Sequence, residues 1–342
     1  MRKKSNNERP YPCPRRHLLD AVRINDSHPR CVDMDMLEEV VVANICLIDV
    51  DSNIPNLALM KLSTYHKQRG DNVKLGYDPL FDNPDICYMS KIFNFTPELQ
   101  YVPDCEVKRG GTGYDLTAKL TPEQDACFPD YSLYGWYGEG TYSLGRFTRG
   151  CPNNCPWCVV PKMDGNEVRW VADLKDFHDP RHDMVRVMDD NIMAAPELFE
   201  RACKQLHDAN VKVLWDALDI RLVNDRTAAA LSTVRQAKSI HFSWDSKAQE
   251  PYIESGLETL QRHGMKPWRF MFYVLIWFNT SREYDLYRVE TLRKLGASPF
   301  VMPYDKYDRY QRDFARWANN KAIFKSTDWA GYDCPTNRGE HG

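Results

Sequence analysis

The chain alternates short apolar segments of strand type with segments of helical periodicity, and this order limits the folds open to it. Six segments are rich in β-branched and aromatic residues: YSLGRF (142–147), VRVMDD (185–190), VKVLWD (211–216), SIHFSWD (239–245), WRFMFYVLIW (268–277) and SPFVMPY (298–304). Strands that alternate with helices along the chain form parallel sheets. The sequence therefore predicts an α/β fold.

The stretches between these strands have the spacing of amphipathic helices. PELFERACKQL and YIESGLETLQRHG each repeat apolar side chains at intervals of three and four residues, which lie on one face of a helix. Thr280 and Glu283 have the spacing of a capping box at the start of a third helix, and Gly296 is expected at its end. Each predicted strand can thus be followed by a helix.

A second α/β unit is predicted before these segments. VVVANICLIDV is a buried-strand run, PNLALMKLSTYHKQRG is helical, and NVKLGY and DICYMSKIF follow as strands. Asp49 and Asp51 close the first strand, and a glycine-rich turn spans 110–113. Aspartates at the carboxyl end of a strand can line a ligand cleft in an open sheet, or they can cap the next helix. A glycine-rich turn can cradle a phosphate with its backbone N–H groups, or it can be a tight turn that connects two segments. The sequence leaves both interpretations open.

The predicted organisation has four parts: a polar N-terminal extension (1–38), the first α/β unit (39–130), the six-strand unit (140–305) and a C-terminal helix and tail (306–342). A net charge of -3 gives no overall basic field that would attract nucleic acid. The cysteines lack a disulfide-like pattern, the first residues lack an apolar leader, and the longest apolar run, FMFYVLIWF, is too short to cross a bilayer. We expect a cytoplasmic protein without a membrane span.

Cys151, Cys155 and Cys158 form a CxxxCxxC motif in the run RGCPNNCPWCVVP, directly after the first of the six predicted strands. The prolines and asparagines between them indicate a ligand-presenting loop. Three thiolates can hold three irons of a cubane cluster and leave the fourth iron without a protein ligand. Structural zinc sites use four ligands, and ferredoxin-type clusters use a fourth cysteine. Neither a second cysteine pair nor a fourth cysteine accompanies this motif, although zinc and a chance grouping stay as alternatives.

This motif, with the aromatic Trp157 before its last cysteine, resembles the signature of the radical S-adenosylmethionine (radical SAM) enzymes. The resemblance extends from Tyr142 to about Tyr304. It implies a [4Fe-4S] cluster on the three cysteines, SAM on the open iron, and reductive cleavage of SAM to methionine and a 5′-deoxyadenosyl radical. It also implies a (β/α)6 partial TIM barrel with its site at the carboxyl ends of the strands. An external electron donor such as flavodoxin or ferredoxin would reduce the cluster.

Polar and apolar residues near the predicted strand ends are candidates for binding SAM: Asp189, Asp190, Asn191, Arg221, Ser243 and Met302. On the family pattern, the group that begins with Asp189 receives the SAM ammonium, and the alternative is a helix N-cap. Arg221 would pair with the SAM carboxylate or a substrate anion, and the alternative is a structural salt bridge to the pair Asp189 and Asp190. Met302 would be an apolar ledge for adenine.

One segment departs from the family pattern. Many relatives carry GxIxGxxE on the fifth strand, whereas this chain reads YVLIWFNT, with Trp277 at the second glycine position. Trp277 would fill space, stack on adenine or face outward.

The first α/β unit resembles the Rossmann-like, cobalamin-binding-like domain that precedes the barrel in cobalamin-dependent radical SAM enzymes and in methylthiotransferases. The cobalamin motif DxHxxG is absent, and the places of the additional cluster cysteines read DVDSN and RGGTGYD. We therefore expect neither tightly bound cobalamin nor a second cluster.

The substrate is not determined by these motifs. KYDRYQRDFARWANNKAIFK sets Arg309, Arg312 and Arg316 on one helical face, which would follow a nucleic-acid backbone, unless the interleaved aromatics close the barrel and the arginines face solvent. A nucleobase in RNA or DNA is the first hypothesis and a peptide the second. The chain also resembles uncharacterised phage and bacterial radical SAM proteins. A hypothesis of another class is a non-catalytic iron–sulfur redox sensor or scaffold.

Overall fold

The computed structural model describes residues 42–135 and 142–333, so the predicted extension (1–38) lies outside the described residues. The first sheet has four parallel strands in the order β2-β1-β3-β4: β1 (Asn44–Asp49), β2 (Asn72–Leu75), β3 (Ile86–Ser90) and β4 (Glu106–Gly110). Helix α1 (Leu57–Gln68) connects β1 to β2, and the short helix α2 (Pro122–Asp125) follows β4.

β1 lies in the interior of its sheet because both of its faces are apolar. Ile45 and Leu47 pack with Leu59 of α1 on one face, and Cys46 and Ile48 pack on the opposite face with β3. Full burial of a side chain of this size contributes about 1.5–3 kcal/mol. Continuous apolar strands of this kind are typical of parallel sheets covered on both faces.

The second part of the chain contains nine further strands: β5 (Ser143–Gly145), β6 (Thr148–Arg149), β7 (Arg169–Trp170), β8 (Met184–Val187), β9 (Lys212–Trp215), β10 (Arg235–Gln236), β11 (Ile240–Ser243), β12 (Phe270–Ile276) and β13 (Ser298–Pro303). Its helices are α3 (Val160–Met163), α4 (Pro196–Asp208), α5 (Asp225–Ser232), α6 (Ile253–Arg262), α7 (Arg282–Lys294), α8 (Arg309–Asn319) and α9 (Lys321–Ser326).

Six of these strands correspond to the six predicted segments and neighbour one another in chain order: β5, β8, β9, β11, β12 and β13. Together with the short strand β10, they form two parallel sheets, β10-β9-β8-β5 and β11-β12-β13. A parallel bridge between Leu218 and Phe242 connects the two sheets. Helices α4, α5, α6 and α7 lie between successive strands along the chain. The predicted α/β fold with parallel sheets is confirmed.

One face of these strands is covered by helices. In β12, Phe270, Phe272 and Val274 are fully buried and belong to the large core, whereas the alternating residues Met271 and Tyr273 are half-buried on the other face. The predicted apolar face of PELFERACKQL is confirmed in α4, whose buried side chains belong to the same core. A strand with one covered face leaves its second face free to line a site.

The predicted capping box of α7 is wrong by one residue. The hydroxyl of Ser281, not Thr280, accepts the backbone N–H of Tyr284 at 3.3 Å and begins the helix. Thr280 instead accepts the N–H of Trp277 at 3.0 Å, in the turn that follows β12. The sequence pattern could not separate the two adjacent hydroxyls.

The C-terminal helix α8 packs its aromatic face on the strands. Phe314 and Trp317 are fully buried, whereas Arg309, Arg312 and Arg316 are exposed. This supports the interpretation in which the aromatics close the core and the arginines face solvent. In the described ranges, no helix is long and apolar enough to cross a membrane.

Two tyrosines join the first sheet to the strands that follow. The hydroxyl of Tyr134 donates to Asp49 at the end of β1 at 2.6 Å. The hydroxyl of Tyr131 donates to the main-chain oxygen of Phe177 at 2.5 Å and accepts the N–H of Leu144 in β5 at 3.0 Å. The described parts of the predicted units 39–130 and 140–305 accordingly fall within one unit of contacts, which begins at Val42.

Candidate active site

The three cysteines lie on the loop between β6 and α3, beyond the carboxyl end of β5. The base of this loop is closed because β6 pairs antiparallel with β7 and the N–H of Cys151 donates to the main-chain oxygen of Gly165 at 3.1 Å. Gly150 has a positive φ of 94°, and a Cβ on it would come within 2.1 Å of the main-chain oxygen of Glu167. Only glycine fits this approach. The sequence thus shapes a tight loop that presents the cysteines.

The two aspartates after β8 hold this loop in position. Asp189 is 7% exposed and accepts hydrogen bonds from the N–H of Phe147 at 2.7 Å and from the N–H and hydroxyl of Thr148 at 3.0 and 2.9 Å. Asp190 accepts from Arg146 at 2.9 Å and from the N–H of Gly150 at 2.7 Å. Burial raises the pKa of Asp189 to about 7, against the opposing hydrogen bonds from Thr148 and Phe147. Both carboxylates therefore bind donors of the cysteine loop, and their predicted contact with the SAM ammonium stays a prediction.

Asn191 lies directly beside the first cysteine. Its side chain is buried, and its Nδ2 donates to the Sγ of Cys151 at 3.5 Å and to Asp219 at 3.3 Å. Its Oδ1 is buried without a hydrogen-bond partner in the described residues. Asp164, at the end of α3, has the same property at Oδ2. The two residues flank the cysteine loop, and a buried acceptor without a donor is destabilising unless a ligand or water supplies one.

Arg221 forms a structural salt bridge, but its partner is Asp219 and not Asp189 or Asp190, the partners in its alternative interpretation. Its Nε and Nη2 contact the carboxylate of Asp219 at 2.8 and 2.6 Å. The same carboxylate accepts from Nδ2 of Asn153, inside the cysteine motif, at 3.0 Å. This network connects the cysteine loop to the segment after β9. The sequence shows Asn153 between the cysteines, but the spacing of residues along the chain does not identify Asp219 as the partner of its amide.

The three thiols interact electrostatically. Cys151 is 8% exposed, and Cys155 and Cys158 are half-buried. Burial raises the pKa of Cys155 and of Cys158, and the neighbouring thiols raise it further, while Arg221 lowers the pKa of Cys155. No group of three or more His, Cys, Asp or Glu side chains in the part of the chain that the structure describes is arranged to hold a metal ion. The fit to a cluster therefore rests on the chemistry of three neighbouring thiols and on their position at the strand ends.

An aromatic chain extends from the cysteine loop across the end of the last strands. The ring of Trp157 lies 5.4 Å from that of Phe278, which lies 5.1 Å from that of Tyr304. Trp277 turns the other way and packs on Tyr310 of α8 at 5.7 Å between ring centroids. Its φ of 71° is in the left-handed region that glycine prefers. Phe278 was not among the predicted site residues, because its orientation depends on this turn.

The remaining candidates lie on the face of the strands away from the helices. The Oγ of Ser243 accepts from Nε2 of Gln249 at 3.0 Å. Met302 is half-buried in β13, opposite Leu275 of β12. The adenine contact predicted for Met302 stays a prediction.

The carboxyl edge of the first sheet is occupied by structural hydrogen bonds. Asp49 accepts from Tyr134, and Asp51 accepts from two backbone N–H groups and a threonine hydroxyl of the loop after β3 at 2.6 to 3.0 Å. Gly111 has a φ of 87°, and a Cβ there would lie 2.4 Å from the main-chain oxygen of Lys91. The glycine turn is thus required by close packing of two loops.

No protein-family model matches the chain, and a search of the curated proteins finds no match. The chemistry of the site is therefore argued from its residues. Three thiols suit iron or another soft metal, and the amide oxygen beside them suits a hydrogen-bond donor.

Proposed function

We propose that the chain is a radical SAM enzyme. The observation that carries the proposal is the CxxxCxxC loop beyond the carboxyl end of β5, together with Asn191, which contacts Cys151 through Nδ2 and whose buried Oδ1 has no hydrogen-bond partner among the described residues. A closed electron-transfer cluster has no need of an acceptor next to its ligands, whereas a ligand with an ammonium group does. This favours an enzyme over the alternative of a redox sensor or scaffold.

The topology supports the fold that this function implies. Six parallel strands that neighbour one another in chain order, with helices on one face, are consistent with a (β/α)6 partial TIM barrel. The preceding sheet, with parallel order β2-β1-β3-β4, is consistent with a Rossmann-like domain. In both architectures, ligands bind at the carboxyl ends of the strands.

Each site residue has a role in this proposal. Cys151, Cys155 and Cys158 would hold a [4Fe-4S] cluster, and Oδ1 of Asn191 would accept the ammonium of SAM. When bound, cluster and SAM supply a 5′-deoxyadenosyl radical that abstracts hydrogen from the substrate. Asp189 and its neighbour fix the loop by the hydrogen bonds described above.

The remaining side chains shield and orient the site. Trp157 would cover the cluster on the side of Phe278. Arg221 holds Asp219, which in turn orients the amides of Asn153 and Asn191. An external flavodoxin or ferredoxin would supply electrons.

The test is anaerobic reconstitution with iron and sulfide, followed by addition of dithionite and SAM. We expect about four irons per chain, the complement of one cubane, and formation of 5′-deoxyadenosine measured by mass spectrometry. Bound zinc in place of iron would refute the metal assignment. A stable cluster that forms no 5′-deoxyadenosine would favour the sensor or scaffold, and about eight irons or copurified cobalamin would contradict the expectations for the first α/β unit.

A further inference from the structure

A cleft of about 720 Å³ lies between the carboxyl edge of the first sheet and the flanks of the cysteine loop. The first sheet contributes the segment 51–58 with the start of α1, and residues after β3 and β4. The cysteine loop contributes Arg146 and Arg149 before the motif and Met163 and Asp164 after it. A volume of several hundred Å³ is typical of sites for small ligands and single nucleotides.

Six basic side chains line this cleft: Lys61, Lys119, Arg146, Arg149, Arg169 and Arg186. Two of them pair with carboxylates that do not line it, Arg146 with Asp190 at 2.9 Å and Arg186 with Asp216 at 2.7 Å. These two pairs are compensated and leave little charge for a ligand.

Three of the other four cations share two lining carboxylates, and the fourth binds a main-chain oxygen. Lys61 lies 2.7 Å from Asp125, and Lys119 lies 3.1 Å from Asp164. Arg149 lies between the two carboxylates at 3.5 and 3.4 Å, longer than the 2.7–2.9 Å of a firm charge-assisted hydrogen bond. Arg169 is exposed and donates to the main-chain oxygen of Asp164 at 2.5 Å. This group therefore carries more positive than negative charge, and Arg149 can turn toward an anion.

The other acidic groups of the cleft are satisfied locally. Asp51 accepts three hydrogen bonds, as described above, and Asp115 accepts from the N–H and hydroxyl of Thr117 at 2.8 and 2.7 Å. Asp164 differs, because its buried Oδ2 has no donor among the described residues. A ligand that fits the cleft would bring an anion for Arg149.

An exposed aromatic surface continues outward from the cleft. Phe93 lines the cleft and stacks on Phe95, with ring centroids 5.1 Å apart and an angle of 18° between the rings. These rings are 42% and 54% exposed. The ammonium of Lys306 lies 3.2 Å from the centroid of Phe95, next to the exposed Tyr307. Solvent-exposed stacked aromatics with an adjacent cation are the elements with which proteins bind unpaired bases and their backbone.

We propose that the cleft and this aromatic surface bind a single-stranded nucleic acid. One phosphate lies against Arg149 and Arg169, and an adjacent base stacks on the pair Phe93 and Phe95. The proposal rests on the proposed function, for which it names the substrate class. It uses the cleft beside the cysteine loop, not the arginine face of α8.

The test measures binding by fluorescence anisotropy, with labelled single-stranded RNA and DNA of about 12 nucleotides and the purified full chain. Replacement of both Phe93 and Phe95 by Ala should weaken binding about tenfold or more, because each base stack contributes on the order of 1–3 kcal/mol. Arg169→Gln should weaken binding for all sequences and lower the slope of log affinity against log salt by about one. Arg169 is exposed, so this change should leave the fold intact.

Two variants serve as matched controls. Trp268→Ala removes a 65% exposed ring that has Arg269 above it at 5.0 Å but lies before β12, at the opposite end of the strands. Arg312→Gln removes a cation from the exposed face of α8. Both should bind like the unchanged protein. Equal losses in the controls, or unchanged binding in the cleft variants, would overturn the proposal.

Three further outcomes are decisive. If AMP binds as tightly as the oligonucleotide, the ligand of the cleft is a free nucleotide and not a single strand, and the proposal is overturned. Absence of oligonucleotide binding in a protein that still forms 5′-deoxyadenosine from SAM alone would overturn the substrate class only. Failure of SAM cleavage with intact, Phe93-dependent oligonucleotide binding would instead refute the proposed function.

Discussion

At the carboxyl edge of the first sheet, Asn56 uses both ends of its amide: Oδ1 accepts the first N–H groups of α1, and Nδ2 donates to Ser90 at 2.8 Å. At the edge of the six-strand unit, Asn191 is equally buried and also donates through Nδ2, but its Oδ1 has no partner in the described residues. Asn56 precedes helix α1 and Asn191 comes after strand β8, and both sheets are parallel. Their difference lies in the hydrogen bonds that the fold itself supplies.

This difference separates structural from functional polar groups. Asp51 and Asp189 both follow parallel strands, and each binds backbone N–H groups of a neighbouring loop. A polar residue at a strand end is therefore a weak indication of a ligand site, because loops at such edges need the same acceptors. A buried acceptor that the fold leaves without a donor is a stronger indication, since its burial costs free energy that a ligand can offset.

The largest expected effect concerns the cysteines. Replacement of Cys151, Cys155 or Cys158 by Ala should abolish iron retention and the absorbance near about 400 nm, because two thiolates cannot hold a cubane cluster. Cys127→Ala, a half-buried cysteine near the first sheet, is the matched control and should retain the full iron content. Iron retained after loss of a motif cysteine would contradict the assignment of the cluster to this loop.

The second prediction uses the two structural carboxylates. Asp51→Asn and Asp189→Asn should each lower the free energy of unfolding by about 1–3 kcal/mol, because an amide NH2 replaces an oxygen that accepts from backbone N–H groups and leaves a backbone donor unpaired. Urea denaturation measures this loss. The SAM affinity of the folded, reconstituted Asp189 variant should be unchanged. If the Asp189→Asn protein is stable and binds SAM more weakly, Asp189 contacts the SAM ammonium, as the family resemblance implies.

The strands and most helices could be predicted because their signals are local. The alternation in WRFMFYVLIW matches β12, where every second residue is buried, and the apolar spacing of PELFERACKQL matches α4. β4 was missed because it is a short, largely polar strand, EVKRG, beside a glycine turn.

The contacts around the cysteines depend on tertiary structure and could not be predicted in the same way. The two-residue pairing of β6 with β7 and the contact of Asn153 with Asp219 join segments that lie far apart in the chain. Trp277 and Phe278 are adjacent aromatics, and only Phe278 contacts the ring of Trp157 in the cysteine loop. This choice depends on the positive φ of Trp277, which the sequence does not reveal. Sequence spacing identified the three thiols, but the partners of the polar residues around them required the fold.

The smallest effect gives the sharpest contrast between the two asparagines. Asn191→Ala should weaken SAM binding to the reconstituted protein about tenfold, equal to about 1.4 kcal/mol, because it removes the proposed acceptor of the ammonium. Its effect on unfolding should be small, since Asp219 keeps its contacts with Arg221 and Asn153. Asn56→Ala should show the opposite pattern. It removes the N-cap of α1 and should cost about 0.5–2 kcal/mol of stability without a change in SAM affinity.

Calorimetric titration with SAM and urea denaturation of both variants measure the two quantities. If Asn191→Ala keeps its SAM affinity, its Oδ1 is not the acceptor of the ammonium. If the variant also gains stability, the unpaired oxygen is an uncompensated cost of folding rather than part of a ligand site. If both variants lose SAM affinity, the ligand contacts the edge of the first sheet as well, and the separation between a structural and a functional edge fails. The distinction between a structural Asn56 and a functional Asn191 holds only if Asn56→Ala loses stability alone and Asn191→Ala loses SAM affinity alone.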